Sequence, residues 1–206
     1  MQPIASLEPP AHVPPSGAPP ARARAGARLR RLGRAAERTL ACVGVVALVY
    51  LLALDRISVF SSSMAPTLVG SERGGDLVLL ERASLALGVA PRRGAIVTFR
   101  NSEGTTVVKR VVGLPGESIA IEAGRVVVDG RPLEPPAGVR YLAAGNVRAD
   151  RDGPRAFATS SEGLYVLGDD ARDSWDSRFT GELARDRVEG RAVAILWPPT
   201  RWRWLW

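Results

Sequence analysis

The chain has 206 residues, enough for one domain with appendages, and a formal net charge of +7 at pH 7. Residues 1–38 hold seven Arg against two Glu, so the remainder carries only +2, and the charge does not favour a nucleic-acid partner. The single Cys excludes an intrachain disulfide, and the only His, His12, lies in a Pro-rich tail, which argues against a His-based triad and a zinc site.

The N-terminal part predicts a membrane anchor. Residues 1–20 contain seven prolines and are predicted to be a disordered tail, followed by a basic juxtamembrane segment at 21–38. The anchor is predicted at 39–55, where sixteen residues lack a charge, slightly fewer than the roughly 17–25 of a spanning helix. The Arg38 side chain can extend toward the membrane surface, which increases the effective length of the spanning helix.

Two alternatives to the anchor stay open, a buried core helix and a cleaved signal peptide. The run ends Leu-Ala-Leu-Asp-Arg, which is a poor small-x-small cleavage pattern and favours an uncleaved anchor. The seven Arg before the run predict a cytoplasmic N-terminus, with residues 56–206 outside the membrane as the catalytic domain.

Residues 56–206 predict a mostly β domain. Short runs rich in β-branched residues alternate with Gly, Pro, Asn and Asp, and no long amphipathic helix or internal repeat is evident. The predicted strands are 76–82, 94–100, 105–112, 118–122, 125–128, 164–168 and 190–197. The C-terminal "RWRWLW" alternates Trp with Arg, which suits a membrane interface or an ordinary edge strand.

The stretch "VFSSSMAPTL", residues 59–68, contains three serines in an apolar setting that is unusual for a linker. A serine hydroxyl needs a base before it can act as a nucleophile, and no His is available. Of 28 basic side chains, 27 are Arg and one is Lys109. Arg cannot lose its proton in a protein but Lys can, so Lys109 is the candidate base, with chance survival of one Lys as the alternative.

The position of Lys109 in a predicted strand indicates how its amine could become neutral. Alternation places Lys109 on one face with Val107 and Val111, so an interior face would desolvate the amine and favour its neutral form. Arg110 is expected on the other face, solvated or paired. Other serine–lysine and lysine motifs fail, because Thr106 replaces the required Ser, Val108 replaces the P-loop Gly, and G-x-S-x-G is absent.

The segment "GDDARDSWDSRFTG", residues 168–181, has four Asp within eight residues. Calcium-loop spacing is not met because position 171 is Ala, and a solvated acidic loop is the simple alternative. Ser174, Asp176 and Arg178 are spaced two apart, so on extended backbone they share a face. A buried Asp–Arg pair could therefore brace an active site, with a serine hydroxyl touching the lysine.

Four motifs in order resemble those of the bacterial type I signal peptidases, membrane-anchored Ser/Lys endopeptidases that remove signal peptides from exported proteins. The resemblance covers roughly residues 35–200 and rests on "SSSMAPTL", "GDLVLL", "VVKRVVGLPGE" and "GDDARDSWDSR". It implies the β fold that these enzymes share with self-cleaving repressors, preceded by one N-terminal transmembrane helix. It also implies a bacterial cytoplasmic-membrane location, preprotein substrates, contact with membrane lipid, and no cofactor, metal or nucleic acid.

The resemblance also implies the catalytic roles. The Ser directly before Met, Ser63, corresponds to the nucleophile, and Lys109 corresponds to the general base. Ser61 would add its hydroxyl to the oxyanion hole beside the Ser63 backbone N–H.

Three further residues correspond to supporting positions. Ser174 would hydrogen-bond and orient the lysine amine, and Asp176 and Arg178 would form the bracing pair. An extended substrate would add to a strand edge. Shallow pockets for small side chains would be lined by Met64, Leu68 and Val108.

Two residues depart from the family pattern. Asp170 stands where Asn is usual, and it is expected to face solvent or an Arg, since a carboxylate near Lys109 would raise the pKa of the amine. Ser62 stands where Gly is frequent. Three other classes remain for comparison: a soluble self-cleaving repressor, a non-catalytic anchored β module, and a catalytically dead relative. The anchor argues against the first, and the presence of both Ser63 and Lys109 argues against the other two.

Overall fold

The computed structural model describes residues 21–122, 125–139, 141 and 156–205. The Pro-rich tail predicted at 1–20 lies outside the described residues. The chain divides into two compact units, Met1–Leu48 and Val49–Trp206. The second unit contains the β domain.

One helix, α1 (Ala21–Ala53), covers the predicted juxtamembrane segment and most of the predicted anchor. It ends at Ala53, two residues before the predicted anchor boundary, because Leu54 and Asp55 already pair as the start of strand β1 (Leu54–Ser58). Within the described part of the chain, no helix combines the length and apolarity needed to cross a membrane. The anchor at 39–55 stays a prediction.

The second unit is built mainly from short antiparallel strands. After β1, the strands are β2 (Leu77–Glu81), β3 (Ile96–Arg100), β4 (Thr106–Gly113), β5 (Ser118–Glu122), β6 (Arg125–Val128), β7 (Arg131–Pro132), β8 (Ala156–Ala158), β9 (Gly163–Leu167), β10 (Leu183–Ala184), β11 (Val188–Trp197) and β12 (Arg203–Trp204). Two single-turn α-helices interrupt them, α2 (Ala83–Ala86) and α3 (Ser177–Thr180). Mostly β character is therefore confirmed.

The strands form two sheets. The larger sheet has the order β1-β2-β11-β3-β4-β9-β10, with β12 added beside β11, and the smaller has the order β7-β6-β5-β8. Every described pairing is antiparallel. Strand β4 lies inside the larger sheet between β3 and β9, so a side chain on β4 is held by neighbours on both sides.

Alternating apolar residues explain why these runs form strands. In β2, Val78 and Leu80 are buried while the residues between them are only partly covered, as expected for a pleated strand with one face on the core. The core cluster beneath β2 includes Val59, Met64, Leu68, Val78, Leu80, Ile96, Ala192 and Ile195. This cluster joins β2, β3 and β11 to the segment that follows β1, and that segment contains the serine triplet.

Candidate active site

The serine triplet is part of a tight turn fixed by the core. The Ala65 N–H donates to the Ser62 carbonyl at 2.8 Å, and the Leu68 N–H donates to the Met64 carbonyl at 2.8 Å. Met64 and Leu68 are both fully buried in the core cluster, and Ser63 is 5% exposed. Two buried apolar side chains therefore hold the turn that carries Ser63, which is not a loose linker.

Strand β4 brings Lys109 to this turn. The Lys109 side chain is 3% exposed, and its Nζ donates to Ser63 Oγ at 2.8 Å. Lys109 lies opposite Val97 of β3 in the strand register. The predicted alternation is present, since Arg110 lies on the other face, where it is paired rather than solvated.

Burial determines the protonation of the lysine. Removal of water from the amine lowers the pKa of Lys109 from its ordinary value of 10.5, the nearby Asp176 carboxylate partly opposes this, and Arg178 lowers the pKa further. A buried amine with a lowered pKa has a larger neutral fraction near neutral pH than a solvated lysine. In its neutral form it can accept the proton of the hydroxyl that it contacts.

Ser61 is the second hydroxyl at the site. Its Oγ lies 3.2 Å from Ser63 Oγ, and the residue is exposed. This position places a rotatable O–H donor beside the nucleophile candidate, which is the arrangement that an oxyanion-stabilising group requires.

Ser174, Asp176 and Arg178 form one buried hydrogen-bonded group. The Ser174 hydroxyl donates to Asp176 Oδ2 at 2.6 Å, and Arg178 holds the same carboxylate with Nε at 2.7 Å and Nη2 at 2.8 Å. The Ser174 hydroxyl thus contacts Asp176, and the described hydrogen bonds include none from Ser174 to Lys109. Asp176 and Arg178 both act on the lysine electrostatically, the carboxylate raising the pKa of Lys109 and the guanidinium lowering it.

A second buried ion pair, Arg110–Asp169, was not predicted. Arg110 holds Asp169 with two hydrogen bonds of 2.7 and 2.6 Å, and its guanidinium also donates to the Gly94 carbonyl and to the Thr67 hydroxyl. Asp169 is 1% exposed. The pair connects the strand that carries Lys109 to the loop after β9 and to the turn that carries Ser63.

The dipeptide Gly-Asp is the sequence feature that could have indicated buried Asp–Arg ion pairs of this kind. It occurs at 75–76 and at 168–169, and each time the Asp is buried and bound by an Arg, Arg201 for Asp76 and Arg110 for Asp169. The preceding glycines have no room for a side chain. A β-carbon on Gly75 would collide with the carbonyl oxygens of residues 59 and 69, and one on Gly168 with Ser174 and the Ser63 carbonyl oxygen.

The acidic loop contacts the serine turn directly. The Asp170 N–H donates to the Ser63 carbonyl at 3.0 Å, and the Ser62 hydroxyl donates to the Asp173 carboxylate. The Asp170 side chain faces Arg172, as expected, and this hydrogen-bonded pairing lowers the pKa of the Asp170 carboxyl. The Arg172 guanidinium therefore compensates the negative charge of Asp170.

A cleft of about 510 Å³ is lined by Ser61 and by Met64, the residue after Ser63. It lies between the segment after β1 and the start of β4, and its lining includes Met64 and Val108. Leu68 does not line it, since that side chain is wholly enclosed in the core cluster beneath Met64. The other lining residues are Ile57, Ser58, Val59, Phe60, Ser61, Thr105, Thr106 and Val107.

The described side chains contain no group of three or more His, Cys, Asp or Glu suited to hold a metal ion. The chemistry present at the site is a buried amine in contact with a buried hydroxyl, beside an apolar cleft. This combination suits attack of a serine on a carbonyl carbon, with the amine as proton acceptor.

The comparisons with known proteins agree on one family. A family model described as signal peptidase, peptidase S26, matches residues 32–197. The signal peptidase I of Leptolyngbya laminosa is 34% identical over 153 residues, covering 68% of this chain and 68% of that protein. The signal peptidase I of Bacillus caldolyticus is 30% identical over 162 residues, covering 76% of this chain and 86% of that protein.

A solved structure is also similar. The crystal structure of a signal peptidase I from Enterococcus faecalis V583 is 24% identical and aligns with a TM-score of 0.38. The alignment covers 49% of this chain and 95% of that one.

Proposed function

Because the chain belongs to the signal peptidase family, peptidase S26, we propose that it removes signal peptides from exported preproteins with Ser63 as nucleophile and Lys109 as general base. The observation that carries this proposal is the 2.8 Å contact between Lys109 Nζ and Ser63 Oγ at a buried position. Signal peptidases act on preproteins, so an exported chain that begins with a signal peptide is the expected substrate.

The first half of the reaction forms an acyl-enzyme. Neutral Lys109 accepts the Ser63 proton while the Ser63 oxygen attacks the scissile carbonyl carbon. The negative charge that develops on the carbonyl oxygen is stabilised by the Ser63 N–H and the Ser61 hydroxyl. The protonated Lys109 then gives its proton to the leaving amine, which frees the mature protein, and the signal peptide stays esterified to Ser63.

The second half repeats these steps with water. Lys109 accepts a proton from the water, the resulting hydroxide attacks the ester carbon, and Ser63 leaves with the proton that Lys109 returns. Asp176, held by Arg178 and Ser174, supports the lysine position electrostatically. The cleft between the segment after β1 and strand β4 accepts the signal peptide as an added strand, with small side chains near Met64 and Val108.

We further propose that residues 39–55 anchor the enzyme in the bacterial cytoplasmic membrane, with residues 1–38 in the cytoplasm and 56–206 outside. The uncharged run and the seven preceding Arg support this orientation. The apolar side chains of this part of α1, including those of Leu40, Val46 and Leu51, are exposed in the described structure, as a lipid-facing helix requires.

The test is cleavage of a preprotein by the Ser63→Ala variant, compared with Ser62→Ala as a matched control. Loss of the attacking hydroxyl should reduce the rate on the order of 10⁶-fold, because the nucleophile and its base act as a unit. Ser62→Ala should keep most of the activity, since its hydroxyl contacts Asp173 and not Lys109. Full activity of Ser63→Ala, or loss confined to Ser62→Ala, would assign the chemistry to a different residue.

A further inference from the structure

A second cavity, of about 560 Å³, lies apart from the substrate cleft and is lined by four arginines. We call it the arginine pocket. The lining residues used below are Thr67, Arg92, Arg93, Arg110, Arg203 and Trp204. No step of the mechanism proposed above takes place in this pocket.

The pocket carries an excess of positive charge. Arg93 is paired with Glu117 and Arg110 with Asp169, so these two guanidinium groups are neutralised. Arg92 is exposed, and its side chain makes no hydrogen bond or ion pair with any described residue, which leaves its full charge available.

Arg203 supplies the second uncompensated charge. It donates from Nη2 to the Thr67 carbonyl at 2.7 Å, and no carboxylate of the described chain lies within ion-pair distance of it. Its remaining N–H donors are free for another acceptor. Arg92 and Arg203 therefore give the pocket a surplus of two positive charges.

Guanidinium groups suit phosphate because their planar N–H donors match its oxygens two at a time. The rim of the pocket indicates where such a phosphate would come from. Trp204 lines the pocket, and Trp202 and Trp204 are exposed by 67% and 56% on the same C-terminal segment. Indole rings favour the headgroup region of a bilayer, where an apolar ring and a polar N–H are both accommodated.

We propose that the arginine pocket binds the phosphate group of an anionic membrane lipid, held between Arg92 and Arg203 with the tryptophans beside it in the headgroup layer. This inference rests on the proposed membrane location of the enzyme. The site would hold the catalytic domain against the bilayer surface. One wall of the pocket is Thr67, four residues after Ser63, so the bound lipid would also contact the turn that carries the nucleophile.

The experiment uses the full chain with Ser63→Ala, in neutral detergent micelles, titrated with short-chain phosphatidylglycerol and followed by the rise in its thermal unfolding midpoint. Arg92→Gln should weaken the lipid effect about fivefold, the usual contribution of one basic residue near an anionic surface, and Arg203→Gln should weaken it further. Arg125→Gln, which removes an exposed charge on strand β6 outside the pocket, is the matched control and should leave the titration unchanged.

Two comparisons identify the source of the anion. Phosphatidylcholine should bind more weakly because its choline carries a positive charge, and inorganic phosphate alone should bind more weakly because it lacks contact with the tryptophans. Equal titration of the Ser63→Ala parent with and without Arg92→Gln would overturn the site, and equal binding of inorganic phosphate would overturn the lipid as its ligand. Because the readout is binding to an inactive variant, it does not depend on preprotein cleavage, so failure of lipid binding and failure of the proposed cleavage are distinguishable.

Discussion

Lys109 shows how a position in a sheet can change the chemistry of a side chain. The same amine on a solvated loop would be almost wholly protonated at neutral pH, since its reference pKa is about 10.4. On β4 it is enclosed between two strands, and burial opposes the positive charge. The nearby carboxylate of Asp176 would restore that charge, but Arg178 holds both of its oxygens.

Residue types alone pointed to the serine triplet and to Lys109, because a serine hydroxyl needs a base and Lys109 is the only lysine of the chain. The family resemblance then selected Ser63 as the partner of Lys109. The structure brings these two residues together across 46 positions of sequence. The Arg110–Asp169 pair spans 59 positions and was not predicted. Arg110 is one of 27 arginines, so its type does not distinguish it, and its partner depends on how β4 and β9 pair.

Lys109→Arg should be as inactive as Lys109→Ala, with rates reduced on the order of 10⁴-fold or more, although the arginine keeps the positive charge. Arg cannot be deprotonated near neutral pH and so cannot accept the Ser63 proton. Wild-type cleavage should rise with pH as the buried amine loses its proton. The measurement is the pH profile of preprotein cleavage for all three proteins, and substantial activity of Lys109→Arg would mean that another group is the base.

Lys109 should also make stability depend on pH. Burial lowers its pKa in the folded state, so between that value and the unfolded value of about 10.4 the unfolded chain holds more protons. The free energy of unfolding should therefore rise with pH across this window, by about 1.4 kcal/mol for each unit by which the pKa is lowered. Lys109→Met has no such proton and lacks this rise.

Chemical denaturation of wild type and Lys109→Met in neutral detergent, from about pH 6 to about pH 11.5, measures the difference directly. The wild-type stability relative to the variant should increase with pH and level off above the unfolded pKa. A difference that stays constant over this range would show that the folded-state pKa of Lys109 is not lowered.

At the level of elements, the strands that were predicted are those with enough apolar alternation to be recognised. All seven predicted runs contain a strand, namely β2, β3, β4, β5, β6, β9 and β11. The strands missed were β1, β7, β8 and β10, of which three have only two or three residues, whereas β12 lies in the C-terminal segment for which an edge strand was one of two alternatives. Such strands are made by tertiary pairing rather than by a local pattern, and the division into two sheets depends on long-range partners in the same way.

The C-terminal segment is an element whose role depends on these long-range contacts. Arg201 binds the buried Asp76 with Nε at 2.8 Å and Nη2 at 3.0 Å, and it also donates to the Thr67 carbonyl. Asp76 in turn accepts the Val69 N–H at 2.8 Å. The C-terminal segment therefore contacts Thr67 directly and Val69 through Asp76, and both residues follow the Ser63 turn.

Arg201→Gln should destabilise the fold by about 1–3 kcal/mol, because it leaves the 1% exposed Asp76 without its main partner. The free energy of unfolding in neutral detergent measures this. The matched control is Arg100→Gln, which breaks an exposed pair with Glu189 and should cost less than about 1 kcal/mol. Equal effects of the two substitutions would mean that the C-terminal segment does not hold the turn.

At the scale of the whole molecule, charge and apolarity are separated along the chain. The N-terminal 38 residues hold a surplus of five positive charges, whereas residues 39–206 are nearly neutral. A catalytic domain that meets exported chains must lie on the side of the membrane where they emerge, and a dense Arg arm is difficult to translocate. Both arguments give one orientation for the proposed anchor, with the arm inside and the β domain outside.

Protease digestion of sealed membrane vesicles tests this orientation. In inside-out vesicles the cytoplasmic face is exposed, so an Arg-specific protease should remove only the arm within residues 1–38 and leave a fragment that contains the whole β domain. In right-side-out vesicles the same protease should reach residues 56–206, where all twenty remaining Arg side chains lie, while the arm stays protected. Detergent lysis is the control, since it should expose both regions in either preparation. Digestion of the β domain in intact inside-out vesicles would mean that the topology is opposite to the proposed one. Release of the chain from the membrane by salt alone would mean that residues 39–55 do not anchor it.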